Sequence, residues 1–154
     1  MTPFKDWLED SNEKIAKYKQ SFTKAESRKY KLELLERITK RVNEFSSMCG
    51  ECNQHKGEIT TLLNNLEGLI QLSPMATKDY HDKIKKIVNH LRKKHKLIAA
   101  GTYTAIGNGA GVALGVSIGT AMGNLGAGIG IGAGIGVAIG AALEAKAKKD
   151  GKII

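Results

Sequence analysis

The chain has 154 residues and a formal net charge of +9, which fits one ordinary domain and excludes two of typical size. The charge is confined: residues 1–96 carry 20 Lys+Arg against 13 Asp+Glu, while residues 97–143 carry no charged side chain at all. Two prolines beside 18 glycines exclude a collagen repeat, the charged start Lys5-Asp6 lacks the apolar core of a secretory signal, and two cysteines cannot form a secreted-type disulfide framework. The first 96 residues are therefore expected in the cytosol.

Up to Lys96 apolar residues recur at helical spacing and no alternating strand pattern occurs. Thr2-Pro3 suits an N-cap and first helical residue, with Phe4, Trp7, Leu8, Ile15, Tyr18 and Phe22 forming one stripe interrupted at Ser11. A second helix is predicted over about 24–48, with Leu35, Ile38, Val42 and Phe45 on its apolar face and Gly50 at its end. A third carries Ile59, Leu62, Leu63, Leu66, Leu69 and Ile70 until Ser73-Pro74. A fourth starts near Thr77, has its apolar positions at Tyr80, Ile84, Ile87, Val88 and Leu91, and ends in Arg92, Lys93, Lys94 and Lys96, where cations favour the helix dipole.

Cys49-Gly50-Glu51-Cys52 is a C-x2-C pair in a turn between helices, and His90 and His95 form H-x4-H late in the fourth helix. Both spacings suit tetrahedral zinc. The 37 residues between the pairs exceed the reach of a compact finger, but connectivity can close the gap. If the third helix descends by ~28 Å and the fourth climbs back at 1.5 Å per residue, all four ligands reach one level. His81, roughly 20 Å lower by the same rise, is an unfavourable ligand, and His55, three residues after Cys52, competes for a place. Two Cys and two His fill a zinc shell, so the expected role is structural and no hydrolysis is implied. Reduced thiols, a redox couple and solvated histidines are the competing readings.

The 47 uncharged residues from Leu97 to Leu143 exceed twice the ~20 that a helix needs to cross a bilayer core. Two spans are predicted, about 103–122 and 127–143, joined at Gly123-Asn124-Leu125-Gly126. Glycine recurs every fourth residue at Gly107, Gly111, Gly115, Gly119 and Gly123, and again at Gly128, Gly132, Gly136 and Gly140. Such grooves let helix backbones approach closely in lipid. A further set, Gly126, Gly130 and Gly134, lies about 200° around the second helix, so it can accept a neighbour on each side, as a ring requires. An anchor whose glycines pack only within one molecule, or a glycine-rich strand over 126–136, would use the same residues differently. No nucleotide-binding glycine motif is present. Basic flanks on both sides place both ends in the cytoplasm, against a cytoplasmic membrane, and favour anionic lipid.

The segment from Gly107-Asn108-Gly109-Ala110-Gly111 to Gly136-Val137-Ala138-Ile139-Gly140 resembles the glycine-zipper segments of small bacterial membrane proteins, some of them pore-forming effectors in toxin or antiphage defence. The resemblance covers about a third of the chain. It implies membrane association and homo-oligomerisation. The expected architecture is all-α: a cytosolic helical sensor over 1–96 with a zinc site, a glycine-zipper transmembrane hairpin over 97–143 and a basic tail over 144–154. The expected function is a non-enzymatic pore, released when a trigger or protein partner acts on the helical half of a soluble inactive state. A constitutive anchor that recruits a cytoplasmic partner is the alternative. Nucleic-acid binding is disfavoured, because 13 acids intersperse the basic residues and no aromatic platform accompanies them.

Overall fold

Helices follow the apolar spacing along the computed structural model, which describes residues 6–69 and 74–154. The chain divides into two units, one comprising residues up to His95 together with Ile154, the other Lys96–Ile153. Thr2-Pro3, Phe4 and Ile70 lie outside the described residues.

In the first unit the helices are α1 (Trp7–Ser21), α2 (Lys24–Lys29), α3 (Leu32–Phe45), α4 (Gly50–Asn64), α5 (Leu66–Leu69) and α6 (Pro74–Lys94). The four-residue spacing of α3 puts Leu32, Leu35, Ile38, Thr39 and Val42 on one buried face, and α3 packs against α1, α4 and α6. Each fully buried Leu or Ile contributes about 1.5–3 kcal/mol relative to exposure, so this helix is the spine of the unit. Thr39 is tolerated there because its hydroxyl donates to the Leu35 carbonyl. Ser11, the expected interruption of the α1 stripe, is itself buried.

The single helix expected over 24–48 is two. Thr23 caps α2 through a reciprocal pair with Glu26, which starts the helix firmly. The chain then turns at Lys31, whose φ of +52° is a left-handed conformation that α-helix cannot propagate. Tyr80 compensates: its buried hydroxyl donates to the carbonyl of Tyr30 at 2.8 Å. Burial holds the Tyr80 hydroxyl well above the ordinary phenol range, so it stays a donor. Gly50 also differs from expectation, because it opens α4 instead of ending the preceding helix. α6 likewise begins at Pro74, earlier than Thr77.

The second unit contains α7 (Thr102–Ala121) and α8 (Leu125–Lys149), packed against each other along their length. Its glycines form the contact. A Cβ placed on Gly111 would strike the Gly132 carbonyl oxygen, and one on Gly136 would strike that of Gly107. The same exclusion holds for Gly115 with Gly128, and for Gly140 with the Tyr103 oxygen at 2.6 Å. Gly119 meets Asn124 and Leu125 at the turn. Gly123 is different from the rest of its series. It adopts φ +69° in the turn with nothing near its Cβ position, so it serves the reversal and not the packing.

Both ends of this pair are tied. Asn124 caps α8 by accepting from Ala127 N–H at 3.1 Å. α7 has no cap of its own at Gly101, and Glu144 of α8 supplies one, accepting from the Gly101 and Tyr103 amides at 2.5 and 3.0 Å. A carboxylate there also faces the positive end of the helix dipole. Ile98 donates to Lys152 at 2.7 Å, beside the Ile98–Ile153 bridge. α8 runs unbroken to Lys149, so residues 144–149 of the basic segment continue the helix.

The two predicted spans are unequal. By length and composition α8 is, among the described residues, the one helix long and apolar enough to cross a membrane. The reason is compositional: Tyr103, Thr104, Asn108, Ser117 and Thr120 dilute α7, whereas α8 is only Gly, Ala, Ile, Val and Leu up to Glu144. A glycine-rich strand is excluded over 126–136, which is helical throughout.

Candidate metal centre

The C-x2-C motif straddles a helix start. Cys49 is the extended N-cap of α4 and Cys52 lies in its first turn, which aims both sulfurs off the same end. α6 returns His90 and His95 to that level. The ligand atoms of Cys49, Cys52, His90 and His95 all lie within 4.8 Å of one another. His90 Nε2 is 3.5 Å from Cys49 Sγ and 3.3 Å from Cys52 Sγ, and His95 Nε2 is 3.2 Å from Cys52 Sγ. A tetrahedral zinc with Zn–S of about 2.3 Å and Zn–N of about 2.0 Å has S···N edges of about 3.5 Å. The four side chains therefore bracket a point that a tetrahedral ion fits.

The surroundings orient the ligands. Glu51 Oε2 lies 2.7 Å from His90 Nδ1, which fixes the proton on Nδ1 and leaves the Nε2 lone pair facing the sulfurs. His95 is stacked on Phe45 with ring centroids 4.0 Å apart. Burial lowers both imidazoles below the ordinary histidine range, in His90 against an opposing pull from Glu51, so both are neutral ligands at pH 7. Cys52 is the opposite case. Burial first, then its hydrogen bond with Cys49, pushes its thiol up to about 12. A dication overrides that penalty by taking the thiolate as ligand.

His55, the expected competitor, stands outside the quartet. It is buried, its Nδ1 lies 2.7 Å from Glu58, and Glu58 also accepts from Lys86 at 2.8 Å. Its ring meets that of His90 edge-on at 5.1 Å, a packing contact. His81 is held elsewhere, with Nε2 2.9 Å from the Lys29 carbonyl. Sequence reasoning passed over Glu51 and Phe45. Glu51 was legible inside the motif, as an acid in the first turn of a helix; the stacking of Phe45 was not.

Two outcomes follow from this geometry. Glu51→Ala should weaken metal affinity about 10–100-fold, the usual effect of losing a carboxylate behind a ligating histidine; competition with a chelating dye reads it directly. Uptake of zinc at pH 7 should release at least one proton per ion from Cys52. Apparent affinity should therefore rise about tenfold per pH unit through that thiol alone, up to its pKa. Calorimetry in buffers of different ionisation enthalpy counts the protons.

Together these features define an all-helical protein in which Cys49, Cys52, His90 and His95 form a group that could hold a metal ion and, among the described residues, one helix has the length and composition to cross a membrane. The chain matches no protein-family model, no curated protein and no solved structure.

Proposed function

We propose that the protein is a non-enzymatic membrane effector: a helical unit stapled by structural zinc, followed by a glycine-packed hairpin that enters the bilayer and assembles with further copies into a pore. The observation that carries the reading is the inverted character of the second unit. Its interior is glycine backbone, while Ile106, Leu114 and Ile131 are each more than 60% exposed, with Ile118, Met122, Ile135 and Ile139 exposed beside them. Such a surface is costly in water and matched in hydrocarbon, where helices associate through close packing. The antiparallel pair satisfies its own backbone bonds, as a membrane requires. In this reading α7 enters lipid with α8 and not alone.

The ring rests on a particular surface. Gly130 and Gly134 have nothing within 4 Å of their Cβ positions, so this side of α8 is smooth and not used within the pair. A trigger acting on the first unit has a short covalent route, because His95 is followed directly by Lys96, whose φ is +56°. The test is liposome leakage by the purified protein alongside membrane fractionation. Leakage with membrane partition supports the pore. Partition without leakage supports the second reading, a constitutive anchor, which is favoured by the use of most zipper glycines within one molecule. A protein that stays soluble under all conditions overturns both.

A further inference from the structure

The bend between α2 and α3 creates an open cleft of about 440 Å³, remote in sequence from the metal ligands. Lys24, Ser27 and Arg28 line it from α2, Lys31 from the bend, and Glu33 and Arg37 from α3. Four cations thus face one carboxylate. None of the four lies in an ion pair among the described residues, although Lys14, Lys19, Arg41, Lys83 and Lys86 each pair with an acid. Arg37 carries the second observation: its Nε is buried without a hydrogen-bond partner among the described residues. The residue as a whole is only half-buried, so the rest of its guanidinium fork can face an acceptor in the cleft.

We propose that this cleft binds a small anion bearing more than one phosphate group. Ser27 adds a hydroxyl donor, and α3 begins at the cleft with no side-chain cap on its N-terminus, an end that favours negative charge. Among the described residues Leu34 is the lone apolar wall and no aromatic side chain lines the cleft, so they offer no platform for a nucleobase. Recognition is by phosphate. Arg28 and Arg37 supply forked donors, and Lys24 and Lys31 supply point charges. The phosphates could belong to a free metabolite or to a lipid headgroup, which share this chemistry. The inference does not depend on pore formation.

The experiment is calorimetric titration of the full-length, metal-loaded protein in detergent with fructose 1,6-bisphosphate, in parallel with binding to phosphatidylcholine vesicles containing phosphatidylinositol bisphosphate. Binding in either arm is expected, and the arm that binds identifies the source. The double variant Arg28→Gln/Arg37→Gln should weaken it about a hundredfold, at about tenfold for each charge-assisted bond lost. Lys83→Gln/Lys85→Gln removes the same charge from α6 and should change it little. Helix content and bound metal, measured on both variants, establish that each is folded. Absence of binding in both arms at millimolar bisphosphate would overturn the site, as would equal loss in the two folded variants. A single-stranded oligonucleotide that bound more tightly than either probe would also overturn it, in favour of a nucleic-acid backbone. If Arg28→Gln/Arg37→Gln fails to fold, Lys24→Gln/Lys31→Gln is read against the same criteria.

Discussion

Replacing Cys52 with serine, or His95 with alanine, should remove the bound metal and lower the melting temperature of the helical unit by about 20 °C. The estimate follows from linkage. A ligand present at about a thousand times its dissociation constant stabilises by about 4 kcal/mol, and each kcal/mol moves a domain of this size by about 4–8 °C. Loss should not mean complete unfolding, because Leu35, Ile38, Ile59, Leu63, Ile84 and Ile87 give the unit a core of its own. That separates it from a zinc finger, which has little structure without metal. Elemental analysis gives the metal content, and circular dichroism with and without chelator gives the shift. His55→Ala is the comparator, because its ring is engaged with Glu58 and stands outside the four ligands. Undiminished metal in Cys52→Ser would remove the site. Loss of metal on His55→Ala with retention on His95→Ala would move a ligand.

The convergence of these ligands was legible because rise per residue is a rigid rule. A descending α4 and an ascending α6 return the chain to the level it left, which brings His90 near Cys49. The helical class was legible for the same kind of reason, since α3 and α6 repeat apolar residues every three to four positions. What escaped was local. The break at Lys31 leaves no proline or glycine as a mark, and the Tyr30 carbonyl just before it is met by a tertiary bond from Tyr80, 50 residues from Tyr30. Gly50 misled because glycine ends helices more often than it opens them, yet the preceding Cys49 takes the extended N-cap conformation here. Glu144 was invisible as a cap because its partners, the Gly101 and Tyr103 amides, lie more than 40 residues away. A capping acid is recognisable from sequence only when it neighbours its own helix.

Spacing also identified two sets of glycines without telling what each one touches. Both four-residue series repeat alike, but Gly123 turns the chain while Gly111, Gly115, Gly128, Gly132 and Gly136 bring the two helices together. The displaced set at Gly126, Gly130 and Gly134 was distinguishable by phase alone. Only contact shows that α7 leaves Gly130 and Gly134 open.

That division makes Gly132→Leu and Gly130→Leu, two residues apart on α8, give opposite results. In Gly132→Leu the Cβ would collide with the Gly111 carbonyl oxygen, which is helix backbone and cannot swing aside. The helices must part. Overpacking a close contact costs about 1–3 kcal/mol or more, and in lipid no hydrophobic gain restores the pair. The distance between genetically encoded labels at Ile106 and Ile139 should therefore increase in vesicles, with the metal-bound unit still folded. Gly130→Leu meets open space, so the same distance should stay that of the parent. If copies assemble through the smooth side of α8, this second variant should insert, keep its paired helices and lose leakage, because the new side chain fills the surface a neighbour needs. Gly134→Leu, one turn on, should repeat the result. Parental leakage in both Gly130→Leu and Gly134→Leu would leave the hairpin as an anchor, and an unchanged label distance in Gly132→Leu would overturn the packing of the hairpin itself.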